Sequence, residues 1–166
     1  MIELRRVDNG NVWAICRLRV AKEQEDFVAS NVESLAEAFA VRESGGVALP
    51  FGIYDGDVPV GFVMLGYDVV PGETDMPDIA KGNYCIWRFM IDEKHQGKGY
   101  GRQALRLALD YVKTFPRGKA EAVYLSYEPE NEGAAALYHS FGFRENGEMD
   151  GDEVVAVLPL LTRKSC

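Results

Sequence analysis

A short glycine-rich run occupies residues 96–101 in the middle of the chain, and its residue types suit the binding of an anion. It reads Gln96, Gly97, Lys98, Gly99, Tyr100 and Gly101. An apolar stretch ends shortly before it, and residues with helical spacing follow it. The first N–H groups of a helix have no intrahelical partner, and the helix dipole favours negative charge there. Glycines let the backbone approach phosphate oxygens closely, and Lys98 and Arg102 add positive charge.

Three kinds of nucleotide site could use such a run, and its spacing separates them. A Walker-type loop requires Gly-x-x-x-x-Gly-Lys-Ser/Thr, which is absent from the chain. A dinucleotide fingerprint requires Gly-x-Gly-x-x-Gly, whereas a single residue separates Gly99 from Gly101. The remaining nucleotide interpretation is the pyrophosphate of coenzyme A. A glycine-rich turn without a ligand is the structural alternative.

A second motif follows the glycine run and has the pattern of a capped amphipathic helix. Asn131 suits a helix N-cap, and Gly142 is placed to end the helix in a left-handed conformation. Between them, apolar residues recur at the spacing of one helix face, at Ala134, Leu137, Tyr138 and Phe141.

Together the two motifs resemble the signatures of the GNAT superfamily of N-acetyltransferases. Gln96-x-x-Gly99-x-Gly101 resembles the first signature, and the stretch from Asn131 to Phe143 resembles the second. The predicted order of strands and helices also matches, so the resemblance covers nearly the whole chain. It implies the α/β fold of that superfamily, with a mixed sheet of six to seven strands and helices on both faces.

The resemblance also implies that acetyl-CoA is the acyl donor. The donor would lie in a V between two central strands that splay around residues 88–91 and 125–128, with backbone groups of residues 89–91 binding its pantetheine arm. The residues implied in donor binding are Phe89, Met90, Ile91, Gln96, Gly97, Lys98, Gly99, Tyr100, Gly101, Arg102, Asn131, Ala135 and Tyr138.

The chemistry that the resemblance implies is attack of a neutral amine on the thioester carbonyl. Tyr138 matches the tyrosine that protonates the leaving sulfur in this superfamily, although its position also suits a core tyrosine. The resemblance assigns no proton acceptor, because residues 84–90 contain no carboxylate. Glu128 is one candidate for catalysis, and a chain of water molecules is another. Glu23 and Glu25 lie where the superfamily gathers its amine, so we predict them to bind substrate; each of these glutamates could instead be a solvated surface residue.

Within the superfamily, the chain looks most like bacterial spermine/spermidine (diamine) N-acetyltransferases. The similar stretches are residues 87–92, 96–101, 124–126 and 147–150. The leading prediction is therefore acetylation of a polyamine such as spermidine or spermine. The alternatives are acetylation of a peptide, protein or antibiotic amine, and an acyl-CoA-binding sensor without catalysis.

Composition limits the remaining possibilities. The 166 residues predict a single domain over 1–166, and the net charge of −8 argues against nucleic acid as a partner. No signal peptide or membrane span is predicted, and scattered cysteines indicate a cytoplasmic protein. Two histidines without ligand spacing predict no metal. Cys85 is interpreted as an inert core residue, with a covalent nucleophile as the alternative. The superfamily often forms dimers, which makes a homodimer possible.

Hydrophobic patterning supplies the elements that must position these residues. A nearly continuous apolar run at 84–91 predicts a strand buried on both faces. The predicted helices are residues 12–20, 33–42, 99–113 and the stretch after Asn131, with a polar break at 22–26. The predicted strands are 2–7, 47–54, 58–67, 84–91, 122–127, a stretch from Phe143, and 154–160.

Overall fold

The computed structural model describes residues 1–160, which form seven strands and four α-helices. The strands are β1 (Ile2–Arg6), β2 (Val47–Asp55), β3 (Val58–Tyr67), β4 (Tyr84–Ile91), β5 (Ala122–Tyr127), β6 (Arg144–Asp150) and β7 (Glu153–Pro159). The helices are α1 (Val12–Cys16), α2 (Asn31–Glu43), α3 (Tyr100–Val112) and α4 (Glu132–Ser140). Short 3₁₀ helices cover Lys22–Phe27, Asp78–Ala80 and Glu93–His95.

The strands form one mixed sheet in the order β1-β2-β3-β4-β5-β7-β6. Within the described chain, β4 and β5 are the parallel neighbours and the other pairs are antiparallel. The predicted α/β fold with a mixed sheet is thereby confirmed.

Helices cover both faces of the sheet, as predicted. The larger apolar core lies on one face, where α3 contributes Leu105 and Leu109 and α4 contributes Tyr138. On the other face, Ile15 of α1 and Ala38 of α2 pack against Phe62 and neighbouring residues of the sheet. We call these the α3/α4 face and the α1/α2 face. No helix among residues 1–160 is long and apolar enough to cross a membrane.

Local signals in the sequence explain several element boundaries. The β2–β3 hairpin turns at Gly56, which has a φ of 59° and suits the tight two-residue connection. The Asn131 side chain accepts a hydrogen bond from the backbone N–H of Ala134 at 3.2 Å and caps α4. Gly142 has a φ of 97° and follows the end of that helix. These three predictions are confirmed.

The first helix is shorter than predicted, because the chain after it is held by other partners. The prediction placed residues 12–20 in a helix, whereas α1 ends at Cys16. The Asn31 side chain donates to the carbonyl of Ile15 at 2.9 Å, and the N–H of Arg19 donates to Asp92 at 3.0 Å. These tertiary bonds divert backbone groups that a longer helix would use. The predicted polar break is the 3₁₀ helix Lys22–Phe27.

The parallel pair at the centre of the sheet is joined at only one end. Backbone pairing between β4 and β5 is confined to Tyr84 with Val123 and Cys85 with Tyr124 in the described chain. Beyond Cys85 the two strands separate, so the remainder of β4 has a free edge toward β5. As predicted, β4 packs into apolar clusters on both faces of the sheet, although Trp87 is among several of its side chains that stay partly exposed beside the opening.

Side chains reinforce the joined end of the two strands. The Tyr84 hydroxyl accepts from the N–H of Arg117 at 3.0 Å and donates to the carbonyl of Gly118 at 2.8 Å. Asn83 Oδ1 accepts from the N–H groups of Glu121 and Ala122, at 3.1 and 2.9 Å. With a further bond from the N–H of Gly118 to the Tyr84 hydroxyl at 3.2 Å, five bonds from two adjacent residues hold the entry to β5 where the backbone ladder is short.

Candidate active site

A cavity of about 820 Å³ fills the opening between β4 and β5; we call it the main cavity. Most of the predicted donor-binding residues line it. They are Phe89, Met90, Ile91, Gln96, Gly97, Gly99, Tyr100, Gly101, Arg102, Asn131 and Tyr138. Lys98 is exposed and Ala135 packs into the core, so both lie outside the lining.

The glycine run forms a turn whose shape requires glycine at two positions. Gly97 and Gly99 have φ angles of 73° and 78°, in the left-handed region that other residues rarely adopt. A Cβ atom at either position would meet no described atom within 4 Å, so the requirement is conformational. Gly99 precedes α3 and leaves the first N–H groups of that helix without a side-chain cap from residues 1–160. These groups are available to an anion.

Two polar side chains of the run are engaged by the protein itself. Gln96 Nε2 donates to Gln24 Oε1 at 2.7 Å and to the carbonyl of Ile91 at 3.0 Å. The Tyr100 hydroxyl donates to Asp55 at 2.7 Å. Gln96 therefore ties the 3₁₀ segment Lys22–Phe27 to the end of β4, and both residues offer a ligand mainly their backbone.

Arg102 is the cationic side chain that the structure brings to the start of α3 beside the main cavity. Its Nη2 donates to the hydroxyl of Ser140 at 3.0 Å, and its guanidinium lies 5.4 Å from the ring centre of Phe141. These contacts tie the first turn of α3 to the end of α4. They also keep a positive charge near the uncapped N–H groups, where an anion gains most from it.

Tyr138 projects from α4 into the wall of the main cavity. Its side chain is 7% exposed, and its hydroxyl has no hydrogen-bond partner within residues 1–160. The rings of Tyr127 and Phe143 lie 5.8 and 6.0 Å away and fix its orientation. Burial raises the pKa of Tyr138 well above its usual range, and the charge of Glu153 acts in the same direction. The hydroxyl is therefore protonated at neutral pH.

A hydrogen-bonded group behind Tyr138 anchors α4 to the last strands. The Tyr127 hydroxyl donates to Glu145 of β6, and His139 Nε2 lies 2.7 Å from the same carboxylate. The bond from Tyr127, followed by a backbone bond at Glu145 and the bond from His139, lowers the pKa of Glu145 to about 2. The helix that carries Tyr138 is thus tied to both β5 and β6.

The carboxylates predicted to bind or deprotonate the acceptor amine do not line the main cavity. Glu25 lines a neighbouring cavity of about 380 Å³, and Glu23 lines neither cavity. Glu128 also lies outside both linings, although its charge raises the pKa of the nearby Glu153. Among the described residues, the carboxylates that line the main cavity are those of Asp26, Asp150 and Glu153.

Sequence reasoning missed Asp150 and Glu153, which flank the β6–β7 turn. The hydroxyl of Ser126 on β5 donates to Glu153 at 2.5 Å and to Asp150 at 3.4 Å. Burial raises the pKa of Glu153, the hydrogen bond from Ser126 lowers it, and Asp150 and Glu128 raise it further. The sequence offered one signal, which was a polar residue, Ser126, in the otherwise apolar strand β5.

The remaining chemical candidates are the Cys85 thiol, His95 and a metal site. Burial raises the pKa of the Cys85 thiol to about 12, which disfavours the thiolate that a covalent nucleophile requires. His95 lines the main cavity with its Nδ1 3.1 Å from Asp92. Within residues 1–160, no group of three or more histidine, cysteine or acidic side chains is arranged to hold a metal ion.

A splayed parallel pair, a glycine turn before an uncapped helix and a buried tyrosine define the class of this protein. The chain belongs to the Acetyltransferase (GNAT) family, whose sequence profile matches residues 12–143. It is similar to the spermine/spermidine N(1)-acetyltransferase of Bacillus subtilis (strain 168), with 33% identity over 156 residues. That alignment covers 93% of this chain and 96% of the relative. The predicted superfamily and the predicted enzyme class are confirmed.

Solved structures agree on the fold. A spermidine N-acetyltransferase from Vibrio cholerae, in complex with CoA and spermine, superposes with a TM-score of 0.64 at 23% identity, covering 96% of this chain and 94% of that chain. An aminoglycoside acetyltransferase in complex with coenzyme A and kanamycin superposes with a TM-score of 0.72 at 16% identity, covering 96% and 95%. Acetyl-CoA as the donor fits this family.

Proposed function

We propose that the protein transfers the acetyl group of acetyl-CoA to a primary amine, and that the amine belongs to a polyamine such as spermidine or spermine. The observation that carries the proposal is the unbonded hydroxyl of the buried Tyr138 side chain, in the same cavity as the uncapped start of α3. One end of that cavity can hold a phosphate anion, and the other offers a proton donor. The proposed reaction requires the anion site and the proton donor in one cavity.

The residues around the main cavity fit the donor along its length. Left-handed Gly97 and Gly99 and the first N–H groups of α3 would hold the pyrophosphate, with Arg102 beside them. The free edge of β4 would hydrogen-bond the pantetheine amides as an added strand does. When bound, acetyl-CoA supplies an activated acyl group in its thioester.

Tyr138 would protonate the sulfur as the carbon–sulfur bond breaks. A raised pKa keeps the hydroxyl protonated until negative charge develops on that sulfur. Its lack of a partner within residues 1–160 leaves the proton free for transfer. Packing against Tyr127 and Phe143 holds the ring still, which preserves the geometry between turnovers.

A cationic acceptor matches the charge of the cavity. Asp26, Asp150 and Glu153 line it, and Arg88, which also lines it, is paired with Glu37 at 2.8 Å. Carboxylates spread along one cavity suit a molecule with several ammonium groups. The Bacillus subtilis relative is a spermine/spermidine acetyltransferase, which supports the same substrate class.

Asn131 offers a test that separates donor binding from helix capping. Its Oδ1 caps α4, while its Nδ2 has no partner in the described part of the chain and faces the main cavity. We expect Asn131→Asp to keep the cap and the melting temperature but to bind coenzyme A about 3- to 10-fold more weakly, because one donor to pantetheine is lost. Asn131→Ala should lose both, with about 1 kcal/mol of stability. Titration calorimetry and thermal melts measure the two effects; unchanged affinity in Asn131→Asp would limit Asn131 to capping.

The proposed function is tested by incubating the protein with acetyl-CoA and a panel of amines while free thiol is detected. The panel contains spermine, spermidine, lysine peptides, an N-terminal alanine peptide and aminoglycosides. We expect the highest kcat/KM with the polyamines. Preference for a peptide or aminoglycoside would reassign the acceptor, and tight coenzyme A binding without turnover of any amine would indicate a sensor.

Three further properties stay predictions from the sequence: a cytoplasmic location, a homodimer, and a single domain over 1–166. The last six residues of that domain lie outside the described part of the chain. Size-exclusion chromatography with light scattering determines the number of chains.

A further inference from the structure

We propose that Glu153, oriented by Ser126, is the group that takes the proton from the acceptor ammonium, and that it works from the sheet face opposite Tyr138. The inference rests on the proposed function and deepens it by naming the missing proton acceptor. It assigns that role to a residue of the last strand rather than to Glu128 or to the segment around Glu25.

The alternation of side chains along β5 places the two groups on opposite faces. Val123, Leu125 and Tyr127 belong to the core under α3 and α4, together with Tyr138. Because successive strand residues point to opposite faces, Tyr124 and Ser126 point to the α1/α2 face. Tyr124 accordingly packs in a separate small cluster with Cys85 and Val155.

Glu153 lies on the same α1/α2 face as Ser126. Val155, two residues along β7, pairs with Ser126 in the strand register and packs with Tyr124. Glu153 therefore shares that face, and the bond of 2.5 Å from the Ser126 hydroxyl confirms its direction. Both residues line the main cavity, so the carboxylate reaches the opening between β4 and β5.

The position of the reacting atoms follows from Tyr138. Its hydroxyl is unpartnered within residues 1–160, its side chain is more than nine-tenths buried, and it faces the main cavity from the α3/α4 face. If the sulfur lies beside that hydroxyl, the thioester carbonyl lies within the gap of the sheet. An amine that enters from the α1/α2 face then meets the carbonyl next to Ser126 and Glu153.

Among the carboxylates of the main cavity, Glu153 has the environment of a base. Asp26 and Asp150 are exposed, whereas Glu153 is half-buried. The polar and charged groups that act on it are Ser126 and Glu128 on and after β5, Asp150 of β6 and Arg88 of β4, with Tyr138 of α4 across the opening in the sheet. Burial raises its pKa and two like charges add to that effect, against the Ser126 bond and Arg88. A carboxylate whose pKa is raised toward neutrality is a better proton acceptor.

The protons and bonds balance without another reactant. An alkylammonium nitrogen loses one proton to the Glu153 carboxylate, which becomes a carboxylic acid, and the freed electron pair attacks the thioester carbon. A carbon–nitrogen bond forms and the carbon–sulfur bond breaks. The nitrogen loses its second proton to solvent, Tyr138 delivers its proton to sulfur and regains one from solvent, and Glu153 releases its proton to solvent, so one proton is released for each amide formed.

The test compares Glu153→Gln with Glu130→Gln, an exposed glutamate outside both cavities. We expect Glu153→Gln to lower kcat with spermine about 100-fold at pH 7, while calorimetry shows the spermine Kd rising less than 10-fold. The deficit should shrink above about pH 9, where the amine, with a pKa of roughly 10, loses its proton to solvent. Glu130→Gln should match the wild type in kcat, Kd and melting temperature.

Ser126→Ala tests the orientation of Glu153. Since the Ser126 bond lowers the pKa of Glu153, its removal should move the acidic limb of the kcat–pH profile to higher pH; a structural role alone would leave that limb in place. An unchanged kcat in Glu153→Gln, or a loss confined to spermine Kd, overturns the inference and leaves the proposed function standing. Absence of turnover by the wild type with every amine overturns both.

Discussion

Replacing Tyr138 by phenylalanine should lower kcat about 100- to 1000-fold, which is the lower part of the range for lost acid catalysis. The ring stays packed between Tyr127 and Phe143, so the main cavity keeps its shape. Because the hydroxyl makes no hydrogen bond within residues 1–160, its loss leaves no buried partner unsatisfied. Coenzyme A affinity and the melting temperature should therefore change little. Steady-state kinetics and calorimetry separate these effects.

The matched control is Tyr111→Phe. That hydroxyl accepts from Arg6 at 3.2 Å, and its ring packs edge-on against Phe51, outside the lining of the main cavity. We expect its kcat to equal that of the wild type. A Tyr138→Phe variant with wild-type kcat would remove Tyr138 from the mechanism and leave it as a core residue.

Replacing Gly99 by valine should weaken coenzyme A binding about 10- to 100-fold. A non-glycine residue in the left-handed region costs roughly 1–3 kcal/mol, and β-branching makes that conformation rarer still. A Cβ atom at Gly99 meets no described atom within 4 Å, so nothing holds the turn against relaxation. Relaxation would turn the first N–H groups of α3 away from the pyrophosphate. Calorimetric titration with coenzyme A measures the loss.

Gly45→Val is the matched control, because it introduces the same backbone strain away from the main cavity. Gly45 has a φ of 84°, and a Cβ atom there also meets no described atom within 4 Å. Its coenzyme A affinity should remain that of the wild type, and thermal melts compare the stability of the two variants. Equal affinity in Gly99→Val and the wild type would contradict a role for this turn in holding the pyrophosphate.

The elements with local signals were predictable from sequence. Asn131 and Gly142 mark the ends of α4 because capping depends on residues adjacent in the chain. Gly56 marks the β2–β3 turn for the same reason. The splay of β4 from β5 was not a local signal; it was predicted from the resemblance of two motifs to a superfamily.

Features that depend on contacts between distant segments could not be predicted from the sequence. The first helix ends early because Asn31 and Asp92 bind backbone groups of residues 15 and 19. Gln96 was predicted to contact the donor, yet its amide is bonded to Gln24 and Ile91. Spacing within a motif does not reveal such partners, because they come from segments far away in the chain.

The acceptor side was hardest to predict for the same reason. Glu153 lies 27 residues after Ser126 in sequence, and only the antiparallel register of β5 with β7 brings them together. The predictions for Glu23, Glu25 and Glu128 relied on position along the chain, and that position does not determine which way a side chain points. A register between strands is needed before a carboxylate can be assigned to one face of a sheet.

The short junction between β4 and β5 has a consequence for the energetics of the whole fold. With pairing confined to Tyr84 and Cys85 on β4, a ligand that binds the free edge completes the sheet across its centre. Folding and ligation are then linked, and a ligand at 100 times its Kd adds about 2.7 kcal/mol of stability. Amide hydrogen exchange along residues 86–90 should slow as the ligand concentration rises. The seven strands formed by residues 1–160 would then gain an eighth from the bound donor.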